Sequence, residues 1–161
     1  LDWFHIENLC IIMIWANSLL TTCNASGIID LIDYYQIDLT GKNVVMIWRS
    51  NIVWKPLANM LINRNATVTV CHSKTRDISF YTKNADIVIV AVWVAKFLKA
   101  EMLKKDSLII DVWFSVIDWI IYWDADYDNI LKAGHSITPV PGWVWPLTVA
   151  NLMKNLVKCI K

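Results

Sequence analysis

From residue 43 onward, short continuous apolar runs alternate with mixed segments of helical period. The runs are NVVMI at 43–47, TVTVC at 67–71, DIVIVAV at 86–92 and SLIIDV at 107–112, with a shorter one at 135–138. Each is too short for a typical helix, and β-branched residues dominate, so each predicts a buried strand. Helices are predicted between them at 54–63, 77–83, 99–105 and 124–132, and residues 113–123 read as irregular. Upstream, residues 5–15 and 26–36 read as helices; Ile28, Ile29, Ile32 and Tyr35 share a face of the second, and Ser26 is placed to cap it. A last helix starts at Pro146, a residue suited to a first turn. Along it Val149, Ala150, Met153, Leu156, Val157 and Ile160 recur at helical spacing. Strands alternating with helices predict an α/β fold, a parallel sheet with flanking helices.

Composition narrows this picture. The 161 residues suffice for one ordinary domain with a real core. Fifteen basic and fourteen acidic residues are mixed along the chain, so no basic stripe calls for nucleic acid. No apolar run is long enough to span a membrane; the nine residues from Ile87 to Ala95 suit a buried strand. Cys10, Cys23, Cys71 and Cys159 form no CxxC, which argues against a zinc site or disulfide framework and fits a reducing, cytoplasmic setting. Beginning at Leu1, the chain reads as a fragment of a longer protein. Its unusual feature is ten tryptophans against four glycines. Glycine normally makes up about 7% of a chain, and counting those tryptophans as glycine would restore an ordinary share.

Ligands of parallel α/β sheets bind at the carboxyl ends of the strands. The first strand–helix turn reads W-R-S-N-I-V-W, from Trp48 to Trp54. With glycine at both ends it approaches a dinucleotide fingerprint, whose first glycine makes the tight turn and whose last lets helix and strand approach. The second strand ends in Cys71-His72-Ser73-Lys74, without the acid that would bind a ribose 2′-hydroxyl. Arg49 and Ser73 can instead bind a 2′-phosphate, which favours NADP over NAD; as plain surface residues they would do neither.

The stretches LDWFHIEN, SGIIDLI, LTGKNVVMIWRSNIVWKPLA, NATVTVCHSKT, ADIVIVAVW, IIDVW and SITPVPGWVWPLTVANLMKN resemble the C-terminal part of the bifunctional methylenetetrahydrofolate dehydrogenase/methenyltetrahydrofolate cyclohydrolase family. The family pattern I-T-P-V-P-G-G-V-G-P-M-T-V-A is the most specific match. The resemblance implies a Rossmann-like sheet, lacking an N-terminal catalytic domain. It divides the chain into a connecting helix and hinge (1–22), an NAD(P)-binding domain (23–145) and a C-terminal helix returning toward the missing domain (146–161). It further implies a folate substrate, the cofactor NADP with NAD as the alternative, and a homodimer, with no nucleic acid or membrane partner. On the same ground Trp48, Arg49, Ser50, Ser73, Trp93, Phe114 and Thr148 fall at cofactor-binding positions. Asp2 and the loop of Pro141, Gly142, Trp143, Val144 and Trp145 fall at substrate-binding positions. The family's catalytic lysine belongs to its N-terminal domain. Lys42, Lys55, Lys74 and Lys96 lie in no matching motif, so no catalytic residue is assigned.

All ten tryptophans (Trp3, Trp15, Trp48, Trp54, Trp93, Trp113, Trp119, Trp123, Trp143 and Trp145) stand where this family's pattern has glycine. Several bacterial lineages read the codon UGA as glycine, whereas other codes read it as tryptophan or stop. A gene of such a lineage translated with another code gives this pattern. A genuinely tryptophan-rich protein and a deliberate replacement are the competing readings. The chain departs from the family elsewhere. Thr22-Cys23-Asn24-Ala25-Ser26-Gly27 lacks both prolines of P-C-T-P-x-G. Lys96 replaces the second glycine of G-K-P-G-F, and Ser115 replaces an asparagine.

Overall fold

The computed structural model describes residues 10–11, 21–48, 54–139 and 144–160. They form two compact units, one of strands with short helices and one of three longer helices.

The strand unit contains β1 (Asn43–Ile47), β2 (Thr67–Cys71), α3 (Ile78–Thr82), β3 (Ile87–Val90), β4 (Leu108–Asp111), β5 (Phe114–Ile117), β6 (Ile120–Trp123), α4 (Tyr127–Lys132) and β7 (Ser136–Ile137). Five of these strands form one parallel sheet in the order β2-β1-β3-β4-β7. In register, Val45 lies opposite Thr69 and Val88, and Ile89 opposite Ile110. Val44–Ile47 and Ile87–Val90 are buried along their whole length, which is why both read as unbroken apolar runs. The edge strand β2 is covered less completely: Thr67 and Val70 are exposed, Val68 and Thr69 half-buried, and Cys71 buried. Val45, Val88, Ile109, Leu98 and Ile130 centre the core, with Ile78, Phe97 and Met102 packed against it. At the amino ends of the strands, Asp86 accepts the Asn43 N–H at 2.9 Å and the Lys104 ammonium at 2.6 Å, tying β1 and β3 together.

The helical unit contains α1 (Cys23–Tyr34), α2 (Trp54–Ile62) and α5 (Val144–Ile160). Ile28, Ile29 and Ile32 are buried as predicted, whereas Tyr35 lies past the helix end and is exposed. The cap is Thr22, not Ser26: Thr22 Oγ1 accepts the Ala25 N–H at 3.3 Å, and Ser26 is buried within the helix beside Thr21. Without a side chain at Gly27, α5 comes close to α1; a Cβ there would sit 3.1 Å from Leu147 Cβ and 3.3 Å from its carbonyl carbon. Polar side chains line the seam. Asp30 accepts from Asn151 Nδ2 at 2.9 Å and Lys154 Nζ at 2.6 Å, and Asn155 Nδ2 donates to the Thr21 carbonyl at 2.8 Å. The buried face of α5 therefore holds Val144, Asn151 and Asn155. The apolar positions that recur at helical spacing are largely exposed: Val149, Met153, Val157 and Ile160 all face outward.

The helix expected at 99–105 is a single 3₁₀ turn, Ala100–Met102. The segment read as irregular forms the antiparallel hairpin β5–β6, pairing Phe114 with Trp123 and Ile117 with Ile120. The helix expected at 5–15 lies almost entirely outside the described residues. Among the described residues, no helix is long and apolar enough to cross a membrane.

Candidate functional site

The parallel topology brings the carboxyl ends of β1, β3 and β4 side by side, and a ladder of rings lies there. Trp48, just past β1, stacks on Trp93, past β3, with centroids 6.1 Å apart. Trp93 meets Trp113 at 5.6 Å, Trp113 stacks on Phe114 at 6.1 Å, and Phe114 meets Trp123 edge-on at 5.7 Å. Three predicted cofactor positions, Trp48, Trp93 and Phe114, are thus gathered at one edge.

The backbone under these rings is unusual. Trp48 has φ +148° and Trp93 φ +62°, a region that favours glycine and strains a bulky L-residue. The hairpin tip repeats this. Asp118 (φ +50°) and Trp119 (φ +66°) are its two loop residues, and two successive positive φ values define the type I′ turn that prefers Asp-Gly or Asn-Gly. The Trp119 side chain is 98% exposed. Lys96, also at a family glycine, has φ +54°.

Around the ladder, strand ends are fixed by backbone bonds. The Trp48 N–H donates to the Cys71 carbonyl at 2.9 Å, extending the β1–β2 ladder one residue beyond the strand. Exposed Ser73 follows in a turn where the His72 N–H donates to Thr75 Oγ1 at 2.9 Å. In the helical unit, Val144 is buried and Trp145 exposed in the first turn of α5. Thr148 donates its hydroxyl to the Val144 carbonyl at 2.9 Å. Asp2, Arg49, Ser50, Pro141, Gly142 and Trp143 lie outside the described residues.

Two buried carboxylates beneath the ladder went unmarked in the sequence reading. Asp124 accepts three successive backbone N–H groups, from Val92 at 2.6 Å, Trp93 at 2.9 Å and Val94 at 2.9 Å. Asp111, the last residue of β4, accepts the Ala125 N–H at 2.8 Å. Burial pushes the Asp111 carboxyl up to about 7, with the Asp124 charge adding to the rise. Burial also raises Asp124, against the lowering effect of its three N–H donors. An acid that ends a buried apolar strand was the available signal for Asp111; nothing in the local pattern marked Asp124. Ser115 Oγ is buried without a hydrogen-bond partner. Among the described residues, no cluster of His, Cys, Asp or Glu could hold a metal ion.

Known proteins share this fold and much of this sequence. Residues 22–161 match the family model "Tetrahydrofolate dehydrogenase/cyclohydrolase, NAD(P)-binding domain". The chain is 45% identical over 158 residues to the bifunctional protein FolD of Methanosarcina barkeri, covering 98% of this chain and 55% of that protein. The Campylobacter hominis protein of the same name is 48% identical over 140 residues, covering 86% of this chain and 49% of that one. The crystal structure of the Campylobacter jejuni bifunctional enzyme FolD superposes with a TM-score of 0.93 at 42% identity, covering 98% of this chain and 56% of that one. The Trypanosoma brucei methylenetetrahydrofolate dehydrogenase-cyclohydrolase, complexed with NADP cofactor and inhibitor, gives 0.86 at 32% identity, covering 94% and 55%. The chain spans about half the length of the curated relatives it matches. It belongs to the tetrahydrofolate dehydrogenase/cyclohydrolase family, of which it carries the NAD(P)-binding domain.

Proposed function

We propose that this chain is the dinucleotide-binding part of a bifunctional enzyme that oxidises 5,10-methylenetetrahydrofolate with NADP and hydrolyses the product to 10-formyltetrahydrofolate. We propose also that the cellular protein carries glycine at the ten tryptophan positions. The observation that carries both is the backbone at 48 and 93. At the ends of two central strands it turns as glycine turns, and the indole side chains there stack across the strand ends. A dinucleotide lying against β1 and β3 would need the space that the stacked indoles of Trp48 and Trp93 fill. With glycine, the ladder loses its first two rings and the strand ends open.

The remaining parts follow from family membership. NADP, when bound, accepts the hydride. Ser73, exposed past β2, and Arg49 are the candidates to hold its 2′-phosphate. Asp2 and the 141–145 loop are the candidates to meet folate, with the catalytic lysine supplied by an N-terminal domain. The exposed apolar stripe of α5, with Val149, Met153 and Val157, supports reading 146–161 as a helix that returns to that domain. In this reading residues 1–22 form the connection and 23–145 the NAD(P)-binding domain. A cytoplasmic homodimer serving one-carbon and purine metabolism completes the proposal.

Peptide mass spectrometry of the native protein over residues 44–57, paired with an NADP titration, tests it. Glycine masses at 48 and 54 with saturable NADP binding are the expected result. Tryptophan masses would withdraw the dinucleotide assignment for this chain while leaving the fold intact.

A further inference from the structure

The turn after β3 is built around a charge that belongs to the protein. Successive N–H groups flanking a left-handed residue converge into a concavity that binds anions. Val92, residue 93 and Val94 make such a concavity, with residue 93 at φ +62°. Its occupant is the Asp124 carboxylate: Oδ2 takes the N–H groups of Val92 and residue 93, and Oδ1 takes that of Val94.

Asp124 sits on a strap that is itself doubly anchored. Trp123 and Asp124 offer their carbonyls to the N–H groups of Lys96 and Leu98, at 2.8 and 3.0 Å, and the Asp126 N–H returns to the Leu98 carbonyl at 2.9 Å. Leu98 and Ala125 form a parallel bridge. On the other side, Asp111 holds the Ala125 N–H from the end of β4, and the Asp111 N–H is fixed by Thr138 Oγ1 at 3.0 Å. The strap thus carries the position of β4 to the loop after β3.

We propose that Asp124 is a positioning residue for the cofactor: it fills the 92–94 concavity, fixes this loop against the strand ends, and leaves none of its amides free for a phosphate. This rests on the NADP reading above. It assigns the β3 turn to shaping the cofactor's bed, so phosphate must be bound by other groups.

The test uses the full-length natural protein with the variants D124N and D124A. Amide hydrogen exchange is read at residues 92, 93 and 94, and KM is measured for NADP and for methylenetetrahydrofolate. In D124A all three amides should exchange faster by at least about ten-fold, each having lost a charge-assisted bond. In D124N the remaining carbonyl oxygen, placed at Oδ2, keeps Val92 and residue 93 protected, and Val94 alone is released. The KM for NADP should rise about ten-fold or more in D124A and less in D124N, while the folate KM changes less than about two-fold. If D124A does not fold, the single-amide signature of D124N decides. Unchanged exchange at 92–94, or a parallel rise of both KM values, would overturn the positioning role. Failure of the unmutated protein to bind NADP would overturn the cofactor reading instead, recognisable because the exchange pattern does not depend on ligand.

Discussion

A residue with a Cβ at positive φ is strained by its own backbone, whatever surrounds it. Among the described residues, eight non-glycine residues lie in that region, and three of them are tryptophan: Trp48, Trp93 and Trp119. Trp119 is the cleanest test because its side chain is almost fully exposed and makes little packing to lose. W119G should therefore stabilise the protein by about 1 kcal/mol, through relief of the left-handed strain and a better type I′ turn. Denaturant midpoints of the two forms at constant slope measure this. A loss of stability would mean that the exposed indole contributes something the turn geometry does not reveal. The buried acids give a second test at this scale. In the folded chain Asp111 holds its proton to about 7, whereas an unfolded aspartate releases it near 3.9. The native state therefore binds more protons between these values, and stability falls as pH rises through that window. The loss is at most on the order of 4 kcal/mol by pH 8. Asp124, raised in the same direction, adds to it. Asp86, held low chiefly by the Lys104 hydrogen bond, loses its stabilising contribution only in more acidic solution, outside the window. D111N should flatten the difference between urea unfolding at pH 5 and at pH 8, and an undiminished slope would place its source elsewhere.

At the scale of elements, packing rather than propensity separates what could be read in advance from what could not. The apolar runs of β1 and β3 were legible because both strands are buried along their length, which leaves no polar alternation to confuse the pattern. The β5–β6 hairpin was missed because Asp118-Trp119 carries no turn signal; Asp-Gly between apolar runs would have been the strongest one available. The helical stripe of Val149, Met153 and Val157 along α5 is real but faces outward, so its period did not report which side is buried. The buried side is made by Asn151 and Asn155, whose amides find partners on or beside α1, and by the absence of a side chain at Gly27. Hydrophobic period alone does not report polar groups satisfied across a helix seam. Gly27 gives the sharper prediction. A methyl group there meets both the Cβ and the backbone of Leu147, so the neighbour cannot simply rotate away. G27A should cost about 1–3 kcal/mol, despite alanine's better helix propensity. Thermal unfolding of G27A checks it, and a rise in midpoint would show that α5 shifts freely along α1.

At the scale of the whole molecule, the fold and the ligand site make different demands on the same ten positions. The sheet forms from its strands whether position 48 carries hydrogen or an indole, which is why the family is recognisable through the tryptophans. The site depends on what stands at the strand ends. Binding to the native state alone stabilises it by an amount set by ligand concentration relative to Kd, about 2.7 kcal/mol at a hundred-fold excess over Kd. The same full-length sequence made in two forms, with glycine or with tryptophan at the ten positions, separates these demands. Saturating NADP should raise the unfolding midpoint of the glycine form by several degrees and leave the tryptophan form within error, with Trp48 stacked on Trp93 where the dinucleotide would lie. Equal shifts in both forms would mean that the indole ladder moves aside at little cost, and that positive φ at 48 and 93 does not decide which residue the site requires.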